Sequence, residues 1–472
     1  MARIRSAVAG LAFVTLWGCG GGRQANYELV IAGGRVMDPE SRLDEVKHVG
    51  MRGGRIEAIS NAPLQGTRVL DASNHVVAPG FIDLHEHGQV EQSYAMMVRD
   101  GVTSAFELEV GTADVAGWYG AREGGQIVNY GVSVGHIPVR MKVLGDPSRG
   151  LLPSGVGGSG GATDAQVAAM EGLLREGVAQ GAVAMGFGTA YTPGAPMSEV
   201  ERMFRVAAAA GVSAHIHLRG GLAGLKETMA AAKDAGAPLH VVHVNSSAGD
   251  ELEGFLDAIQ AARAAGQDVT TEAYPYGAGM TEIQSALFDD WNTWPDERFA
   301  QHQLVSTGER LTRDTFAQAR KAGGTVIMHT RSEAQTRAAI ASPLSMIASD
   351  GFIENGRGHP RSSGTYAKVL GKYVREERVI SLMEALRRMT LEPARRLEHR
   401  VPAMAGKGRL KVGADADITI FDPATVIDHA TYEDGTIPSA GIPYVVVGGE
   451  VVVDGGKITA ARPGRAIRAA RK

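Results

Sequence analysis

The pattern of hydrophobic and polar residues changes twice along the chain. Up to Val77, short apolar–polar alternations such as Arg55–Ile59 are separated by glycine and aspartate, a pattern that predicts half-buried β-strands. After Gly80, apolar runs alternate with alanine-rich stretches, which predicts the βα units of a parallel sheet. After about Arg396 the β pattern returns, for example at 416–421. The pattern therefore predicts an α/β centre between two β-rich ends.

The central segment contains one strand candidate more than a (β/α)8 TIM-type barrel requires. We therefore assign Thr325–His329 to an excursion between the seventh and eighth barrel strands. Helices are expected at Asp164–Gln180, Glu199–Ala210 and Glu251–Ala265. The nine strand candidates are Phe81–His87, Thr103–Val110, Val132–Val139, Ala182–Gly188, Val212–His217, Leu239–Asn245, Val269–Tyr274, Thr325–His329 and Ser345–Ser349.

The two β-rich ends are expected to pair into one small β-sandwich beside the barrel, although two independent β appendages fit the same pattern. The predicted N-terminal part of the sandwich is 27–78 and the C-terminal part is 397–472. The barrel is assigned to 79–396, with its excursion near 277–344. The length of 472 residues suits one barrel-sized domain with a small satellite.

The first residues resemble a bacterial lipoprotein leader. Arg3 and Arg5 precede an apolar run, Ala7–Trp17, that is too short to span a bilayer. The run ends in Leu-Trp-Gly-Cys, which is similar to a lipobox, and Cys19 is the only cysteine in the chain. We expect 1–19 to be a signal peptide, Cys19 to be lipidated and 20–26 to be a flexible tether. A lone cysteine that fills a core or acts as a nucleophile is the alternative.

Composition narrows the possible partners. The formal net charge of −4 provides no basic surface for nucleic acid, so this class of partner is excluded. No segment after the leader is long and apolar enough to cross a membrane as a helix. The expected membrane contact is therefore the lipid anchor alone, on a protein of the bacterial cell envelope that faces the periplasm or the exterior.

Several histidines stand at the ends of the predicted barrel strands. His85 and His87 lie at positions i and i+2, so both point to one side of the strand and could bind one Zn²⁺ at the barrel rim. His217 and His243 end two later strands, and His217 is preferred over His215 because it is nearer the rim. A bare pair of exposed strand-end histidines is the alternative. His240 is interpreted as a packing residue, because its spacing from His243 turns it to the other face.

Carboxylates complete the candidate metal site. Asp350 follows the last strand candidate and is a candidate ligand and proton shuttle, although Asp-Gly is also a common turn pair. Glu107 and Glu109 share one face of an apolar strand, which is costly unless they are paired or coordinated. The segment 182–188 has no lysine that could bridge two metals, and Cys19 is assigned to the leader. Glu109, nearer the strand end, is therefore the predicted bridge, with Glu107 as the fallback.

An ordered set of motifs resembles the amidohydrolase superfamily and, within it, the N-acyl-D-amino-acid deacylases, or D-aminoacylases. The similarity extends over nearly all of the chain after the leader, and the ordered set is more specific than any single motif. The motifs are P-G-F-I-D-L-H-E-H at 79–87, G-H-I-P-V-R at 135–140, Y-T-P-G at 191–194, H-L-R at 217–219, Y-P-Y-G-A-G at 274–279, D-G at 350–351, H-P-R at 359–361, G-T-Y at 364–366 and P-G-R at 463–465.

The resemblance implies a (β/α)8 barrel, a small β-sandwich formed from both termini, and a specific ligand set. The ligands that it implies are His85, His87, His217, His243 and Asp350. The chain departs from the family pattern at two places. The bridging cysteine of the family has no counterpart, since Glu109 or Val110 falls at its position. In the family, a basic residue usually stands two positions after the histidine that corresponds to His243. This chain has Asn245 there, so its recognition of a substrate carboxylate is expected to differ.

These residues predict a hydrolase that acts on a small-molecule amide. One or two Zn²⁺ ions would lower the pKa of bound water to about 7, and Asp350 would act as general base and then general acid. Arg219, Arg361 and Tyr191 are candidates for holding a substrate carboxylate, and His136 and His329 for lining the pocket. The predicted substrate-binding set is Tyr191, Arg219, Asn245, Tyr274 and Arg361.

Two other functions remain open from the sequence. Another amidohydrolase, such as a cyclic amidase, a dipeptidase or a deaminase, would share the metal chemistry and differ in substrate. A catalytically silent metal-binding envelope lipoprotein would keep the barrel and its ligands without turnover. The acyl-D-amino-acid preference rests on the family resemblance.

Overall fold

Eight parallel strands form the centre of the molecule. The computed structural model describes residues 26–470, without the side chain of Asn26. The strands hydrogen-bond in chain order from β6 to β16, as expected of a TIM-type barrel, which confirms the predicted fold class. They are β6 (Phe81–Asp83), β7 (Val102–Thr112), β8 (Asn129–Gly135), β9 (Met185–Gly188), β10 (Ala214–His217), β11 (Leu239–Val241), β12 (Val269–Ala273) and β16 (Ser345–Ile347).

The first and last barrel strands meet through contacts just beyond their ends. The backbone N–H of Asp350 donates to the carbonyl of His85 at 2.7 Å, and the N–H of His87 donates to the carbonyl of Gly351 at 2.9 Å. The backbone N–H of Ser349 donates to the carboxylate of Asp83 at 3.1 Å. These bonds bring the segments that follow β6 and β16 together at the carboxyl-terminal mouth of the barrel.

Helices surround the barrel and occupy most of the connections. The three predicted helices are present as α5, α6 and α9, and α5 begins with a capping box at Thr163 and Gln166. The helices are α1 (Glu91–Arg99), α2 (Val115–Gly120), α3 (His136–Leu144), α4 (Val156–Ser159), α5 (Asp164–Ala179), α6 (Met197–Ala210), α7 (Gly221–Ala235), α8 (Val244–Ser247), α9 (Leu252–Ala264), α10 (Asp296–Phe299), α11 (Arg313–Ala322), α12 (Glu333–Ala341), α13 (Arg361–Lys368), α14 (Leu382–Leu386) and α15 (Glu392–Glu398).

Three barrel strands end four residues earlier than the apolar pattern predicts. The strand expected at Phe81–His87 ends at Asp83, and the one expected at Leu239–Asn245 ends at Val241. The strand expected at Val132–Val139 ends at Gly135, and α3 begins at His136. Apolar residues continue into these turns because the turns are buried over the barrel mouth, so the pattern could not mark where the strands end.

The segment between β12 and β16 forms a small sheet of its own. Its strands are β13 (Gly279–Glu282), β14 (His302–Leu304) and β15 (Thr325–Met328), and β15 pairs antiparallel with both others. The predicted candidate Thr325–His329 therefore lies outside the barrel sheet. An aromatic cluster that includes Phe288, Trp294 and Phe316 packs beneath this sheet. The excursion, residues 279–341, extends over the barrel mouth.

Both ends of the described chain join one nine-stranded sheet. Strand β5 pairs parallel with β1 and antiparallel with β19, so the two ends are joined directly. A separate apolar core lies within this sheet. The strands are β1 (Asn26–Asp38), β2 (Leu43–Arg52), β3 (Arg55–Ser60), β4 (Gln65–Asp71), β5 (Val76–Pro79), β19 (Ile418–Phe421), β20 (Tyr444–Val447), β21 (Glu450–Asp454) and β22 (Lys457–Ile458); a short hairpin of β17 (Ile353–Glu354) and β18 (Arg357–Gly358) lies apart.

The tail of the chain does not stay with the terminal sheet, which differs from the predicted sandwich segment 397–472. Residues 464–467 lie against the barrel, where Gly464 bridges to Gln126 and Ala466 to Tyr130. The hydroxyl of Tyr119 donates to the carbonyl of Ile467 at 2.6 Å. The buried side chain of Ile467 explains this path, because it belongs to the core at the base of the barrel. Within residues 26–470, no helix has both the length and the apolar character to cross a membrane.

Candidate metal centre

His85 and His87 follow β6 and meet at the barrel mouth. Their Nε2 atoms are 3.1 Å apart; His85 is buried and His87 is partly buried. The chain leaves the regular strand at Asp83 because the backbone of this segment pairs with the turn after β16, through a bridge between Glu86 and Gly351. Two imidazoles are therefore held side by side in a backbone that neighbouring segments fix.

Glu109, on β7, lies between the two pairs of histidines. Its Oε2 is 2.5 Å from Nε2 of His85, and its Oε1 is 3.1 Å from Nδ1 of His217. His243 follows β11, and its Nε2 lies 3.1 Å from Nδ1 of His217 and 3.8 Å from Oε2 of Glu109. Each carboxylate oxygen of Glu109 therefore faces a different part of the site.

The ligand-type atoms form two overlapping groups. One group contains His85, His87, Glu109 and Asp350, and the other contains Glu109, His217 and His243; within each group the atoms lie within 4.8 Å of one another. Glu109 is the member that both groups share. The structure thus brings together all six residues that the sequence predicted as metal ligands.

Asp350 faces the first pair of histidines and an arginine. It follows β16 in a left-handed conformation, with φ of 54°, and its Oδ1 is 3.4 Å and 3.3 Å from Nε2 of His85 and His87. Its Oδ2 is 2.7 Å from Nη1 of Arg361, which is fully buried. Burial by itself would raise the pKa of Asp350, but the charges of Arg361 and His85 outweigh it and hold this pKa below its ordinary value. The carboxylate is therefore an ionised acceptor at neutral pH.

Carboxylates also hold the first two histidines from behind. Oε2 of Glu107 is 2.5 Å from Nδ1 of His87, and its Oε1 accepts hydrogen bonds from the backbone N–H groups of Val110 and Gly111. Glu107, the fallback bridge of the sequence analysis, thus contacts the nitrogen of His87 that points away from the centre. A carboxylate in this position fixes the tautomer and the orientation of a metal-binding imidazole.

Glu272, on β12, plays the corresponding part for His85 and was missed in the sequence. Its Oε1 is 2.6 Å from Nδ1 of His85, and its Oε2 is 3.0 Å from Nε2 of His240. Nδ1 of His240 is 2.7 Å from Oγ1 of Thr270. Burial by itself would raise the pKa of Glu272, but the imidazoles of His85 and His240 lower it by more. The pKa is therefore below its ordinary value, and the carboxylate is ionised. The available signal was a single glutamate within the otherwise uncharged strand β12.

His240 is a satisfied buried histidine, as the sequence analysis interpreted it, although the reason given there was incomplete. The strand ends at Val241 and His243 adopts a left-handed conformation with φ of 35°, so the spacing rule for a continuous strand does not apply. Burial lowers the pKa of His243 to about 3, with a further contribution from His217, which keeps its imidazole neutral. His215 lies deeper, 2.9 Å from the hydroxyl of Ser213, and does not reach the two ligand groups.

Two connected cavities open from this cluster. An inner pocket lies directly over the ligand atoms, with Tyr191, Tyr274 and Arg361 in its wall. An outer cavity of about 370 Å³ begins at His87 and Phe352 and continues to the loop at 148–154. This volume is within the range of small-molecule sites in proteins.

The predicted substrate-binding residues divide into two sets. Tyr191, Tyr274 and Arg361 line the inner pocket, and the ring of Tyr191 packs edge-on against His217. Arg219 does not line it, because its guanidinium donates to the carbonyls of Thr192 and Ala195 and so supports a loop. Asn245 is buried away from the pocket, and its amide donates to the carbonyl of Tyr274 at 3.0 Å.

The two histidines considered as pocket-lining residues also lie elsewhere. Nε2 of His136 is 2.8 Å from Glu199, which also accepts a hydrogen bond from Arg140. His329 contacts the side-chain carbonyl of Gln303 at 2.9 Å, within the excursion. Both histidines have structural partners, and neither lines the inner pocket or the outer cavity.

Comparison with known proteins agrees with this geometry. The sequence profile of the amidohydrolase family matches residues 142–453. An N-acyl-D-glutamate deacylase of Alcaligenes xylosoxydans xylosoxydans is 32% identical over 94% of this chain and 97% of its own length. A crystal structure of the N-acyl-D-glutamate deacylase from Bordetella bronchiseptica, complexed with zinc and a phosphonate mimic of the tetrahedral intermediate, superposes with a TM-score of 0.82 at 28% identity, covering 94% of this chain and 100% of that one. A structure of D-aminoacylase, described for its binuclear metal centre, superposes with a TM-score of 0.78 at 26% identity over the same shares of the two chains.

The chain therefore belongs to the amidohydrolase family. Its relatives of 30% identity or more include an N-acyl-D-glutamate deacylase and a D-aminoacylase, as the sequence motifs implied. The relatives cover nearly the whole chain, so the similarity includes both the barrel and the terminal sheet.

Proposed function

We propose that this protein is a metal-dependent amide hydrolase that removes the acyl group from N-acyl-D-amino acids. The observation that supports this most strongly is the pair of ligand groups that share Glu109 at the barrel mouth, next to an ionised Asp350. The relatives are deacylases of N-acyl-D-amino acids, and one of them has been crystallised with zinc. The D-preference in the proposal rests on these relatives.

The donor set suits zinc. Four imidazoles and two carboxylates face a common space, and nitrogen with oxygen donors in this number are typical of zinc sites in hydrolases. Burial raises the pKa of Glu109, but the imidazoles of His217 and His85 lower it well below its ordinary value. The proposed ligands are His85, His87, Glu109, His217, His243 and Asp350, with Glu109 as the bridge. One or two bound Zn²⁺ ions would polarise the substrate carbonyl and lower the pKa of water to about 7.

Asp350 is the proposed general base and acid. Its Oδ1 faces the cluster while its Oδ2 lies 2.7 Å from Arg361, so Oδ1 is the oxygen that is placed to accept the proton of the attacking water. The same oxygen then delivers this proton to the nitrogen of the amide as the C–N bond breaks. Arg361 positions this carboxylate and keeps it ionised.

A substrate panel with the zinc-loaded full-length protein tests the proposed function. We expect hydrolysis of N-acetyl-D-amino acids, acidic ones included, much slower hydrolysis of the L enantiomers, and loss of activity after chelation. Dihydroorotate, hydantoins, dipeptides and aminopurines cover the alternative amidohydrolase activities. Activity confined to one of these classes would replace the proposal, and bound zinc without turnover of any amide would favour a silent binding protein.

Asp350→Asn tests the assignment of the proton shuttle. The amide of asparagine keeps the size of the side chain and cannot act as the base, so kcat should fall by about 10²- to 10⁴-fold. Zinc content, measured by elemental analysis, and the unfolding temperature are the controls for folding and metal binding. If the variant hydrolyses the best substrate at the wild-type rate with zinc bound, Asp350 is not the general base.

We also propose that Cys19 anchors the protein to a bacterial membrane at the envelope, facing the periplasm or the exterior. Cys19 and the leader lie outside the residues that the structure describes, so the proposal rests on the sequence of residues 1–19 alone. Wild-type protein expressed in a bacterial host should incorporate labelled palmitate and fractionate with membranes, and Cys19→Ser should lose both properties. Equal fractionation of the two proteins, without label, would contradict the anchor.

A further inference from the structure

We propose that Arg331 binds the carboxylate of the amino-acid half of the substrate and so determines the substrate class. This inference rests on the proposed function, because an N-acyl amino acid has a carboxylate next to the amide that is cut. Arg331 follows β15 in the excursion, a segment that the barrel pattern of the sequence did not connect with the site.

The guanidinium of Arg331 lies directly behind the wall of the inner pocket. Its Nη2 donates to the hydroxyl of Tyr274 at 2.6 Å and its Nη1 to the hydroxyl of Ser246 at 3.2 Å, and both of these residues line the pocket. Gly279 also lines the pocket, and a Cβ atom at this position would lie 3.2 Å from Nη2 of Arg331. The absence of a side chain at Gly279 leaves the space between the guanidinium and the pocket open.

Arg331 lacks the partners that a partly buried guanidinium usually has. Its Nε is buried and has no hydrogen-bond partner among residues 26–470, and its two contacts with side chains are to neutral hydroxyls. No carboxylate of the described residues lies within ion-pair distance of it. An arginine presents several donors in a planar fork that fits a carboxylate, so its unused capacity points to an anionic ligand.

The other cations near the site are already engaged or lie elsewhere. Arg361 also has a buried Nε without a hydrogen-bond partner among residues 26–470, but Asp350 lies 2.7 Å from its Nη1 and compensates its charge, and its Nη2 donates to the carbonyl of Met280. Arg219 donates to backbone carbonyls outside the pocket. Arg149 is exposed on the outer cavity, together with the carboxylates of Glu282 and Glu354. Glu282 lines both cavities and accepts hydrogen bonds from the backbone N–H groups of Leu151 and Leu152, whereas Glu354 lines only the outer one. The additional acid in the outer cavity disfavours a substrate carboxylate there, so this cavity is the better place for the acyl group.

The test compares two ligands that differ only in the carboxylate. One is the N-acetyl-D-amino acid that the wild-type enzyme hydrolyses best, and the other is the N-acetyl derivative of the decarboxylated amine. For the carboxylate substrate, Arg331→Gln should raise KM by about 10- to 100-fold with kcat nearly unchanged, because the contact is made equally in the ground and transition states. For the decarboxylated substrate, KM should be the same in wild type and variant.

Two further variants separate this role from a structural one. Arg331→Lys retains the charge and should recover part of the lost affinity. Arg337→Gln removes the same charge from α12, on the same excursion, where the side chain is half exposed and paired with Glu377 at 2.6 Å, and it should leave KM unchanged. Zinc content and unfolding temperature are measured for every variant. Equal changes in KM for both ligands, or an effect of Arg337→Gln as large as that of Arg331→Gln, would overturn the proposal.

The failure of the proposed function can be distinguished from the failure of this inference. If the zinc-loaded wild type hydrolyses no N-acetyl-amino acid, the proposed function is wrong. Calorimetric titration with N-acetyl-D-leucine and N-(3-methylbutyl)acetamide then tests the inference by binding alone. Weaker binding of the first compound by Arg331→Gln, with the second unchanged, supports a carboxylate site. No difference between wild type and variant, or no binding by wild type, contradicts it.

Discussion

Glu109 is the residue on which the geometry of the site depends most. One of its oxygens faces His85 and the other faces His217, so its carboxylate spans the two ligand groups. A glutamate can bridge in this way because its two oxygens diverge, whereas an amide offers only one good metal-binding oxygen. At the residue scale, we therefore expect the number of metal ions at the site to depend on this single side chain.

We expect Glu109→Gln to lose one equivalent of zinc relative to the wild type. The amide keeps the volume of the side chain, so the barrel should remain folded, while its single good metal-binding oxygen can serve only one of the two ligand groups. Elemental analysis of protein dialysed against buffered zinc measures the stoichiometry. Glu107→Gln is the matched variant on the same strand face, and it should retain the wild-type stoichiometry because Glu107 contacts the nitrogen of His87 that points away from the centre and lies in neither ligand group. The reverse result would assign the bridge to Glu107.

Glu272→Gln should weaken zinc binding without removing a ligand. Loss of the carboxylate leaves Nδ1 of His85 with a neutral partner, and changes of this kind typically reduce metal affinity by about 10- to 100-fold. Competition with a chromophoric chelator measures the dissociation constant. Glu199→Gln is a suitable control, because Glu199 is also buried against a histidine but lies outside both ligand groups. If the two variants bind zinc with equal affinity, Glu272 does not support metal binding by His85.

At the scale of the element, the sequence predicted the order of the barrel strands but not where they end. Alternation and apolar runs mark a strand while its backbone is paired, and they continue unchanged into the buried turns after Asp83 and Val241. The sequence nevertheless predicted that His85 and His243 lie at the site, because residues that follow parallel strands gather at one mouth whatever their local conformation.

The residues that the sequence analysis missed are those whose role depends on contacts between distant segments. Glu272 and His85 are 187 positions apart in the chain, but they meet because only β16 separates β12 from β6 where the barrel closes. Arg331 reaches Ser246 and Tyr274 because the excursion folds back over the mouth. Neither contact leaves a local pattern, and a glutamate or an arginine in isolation is an ordinary surface residue.

Strand β9 supports the metal centre through a glycine. A Cβ atom at Gly186 would lie 2.1 Å from the backbone carbonyl oxygen of Glu109, so a larger residue must push β7 and its bridging carboxylate aside. We expect Gly186→Ala to lower the free energy of unfolding by about 1–3 kcal/mol and to reduce zinc content. Urea denaturation and elemental analysis measure the two effects.

Gly172→Ala, in the middle of α5, is the control for the same chemical change. A Cβ atom there meets nothing within 4 Å, so alanine should raise the free energy of unfolding by about 0.5–1 kcal/mol through its better helix propensity. Its zinc content should equal that of the wild type. If the two alanine variants have similar stability, the close approach of β9 to β7 does not constrain the centre.

At the scale of the whole molecule, a buried ion pair in the segment that leads into β19 lies where the terminal sheet meets the barrel. Nζ of Lys407 lies 2.6 Å from Asp417 and 3.1 Å from Asp415. Asp417 also accepts a hydrogen bond from the side-chain amide of Asn129, on β8, and from the backbone N–H of Gly448. Both residues of the 2.6 Å pair are buried, so each charge depends on the other for its stability.

Replacement of Lys407 should therefore lower the free energy of unfolding and remove the part of it that changes with pH in the alkaline range. Lys407→Met leaves Asp417 buried without its cation, and we expect the free energy of unfolding to fall by about 3–5 kcal/mol at pH 7.

Burial alone would lower the pKa of Lys407, but Asp417 and Asp415 raise it above its ordinary value. A raised pKa in the folded state means that the stabilisation is complete below the unfolded pKa, about 10.4, and is lost as the pH rises through the folded pKa. The difference in free energy of unfolding between wild type and Lys407→Met, measured by urea denaturation from pH 7 to 11.5, should therefore be constant up to about pH 10 and then decrease.

Lys411→Met, at an exposed lysine paired with Glu40, should change the free energy of unfolding by less than about 1 kcal/mol at every pH. If the two lysine variants behave alike, or if the difference between wild type and Lys407→Met grows at alkaline pH, this ion pair does not hold the terminal sheet against the barrel.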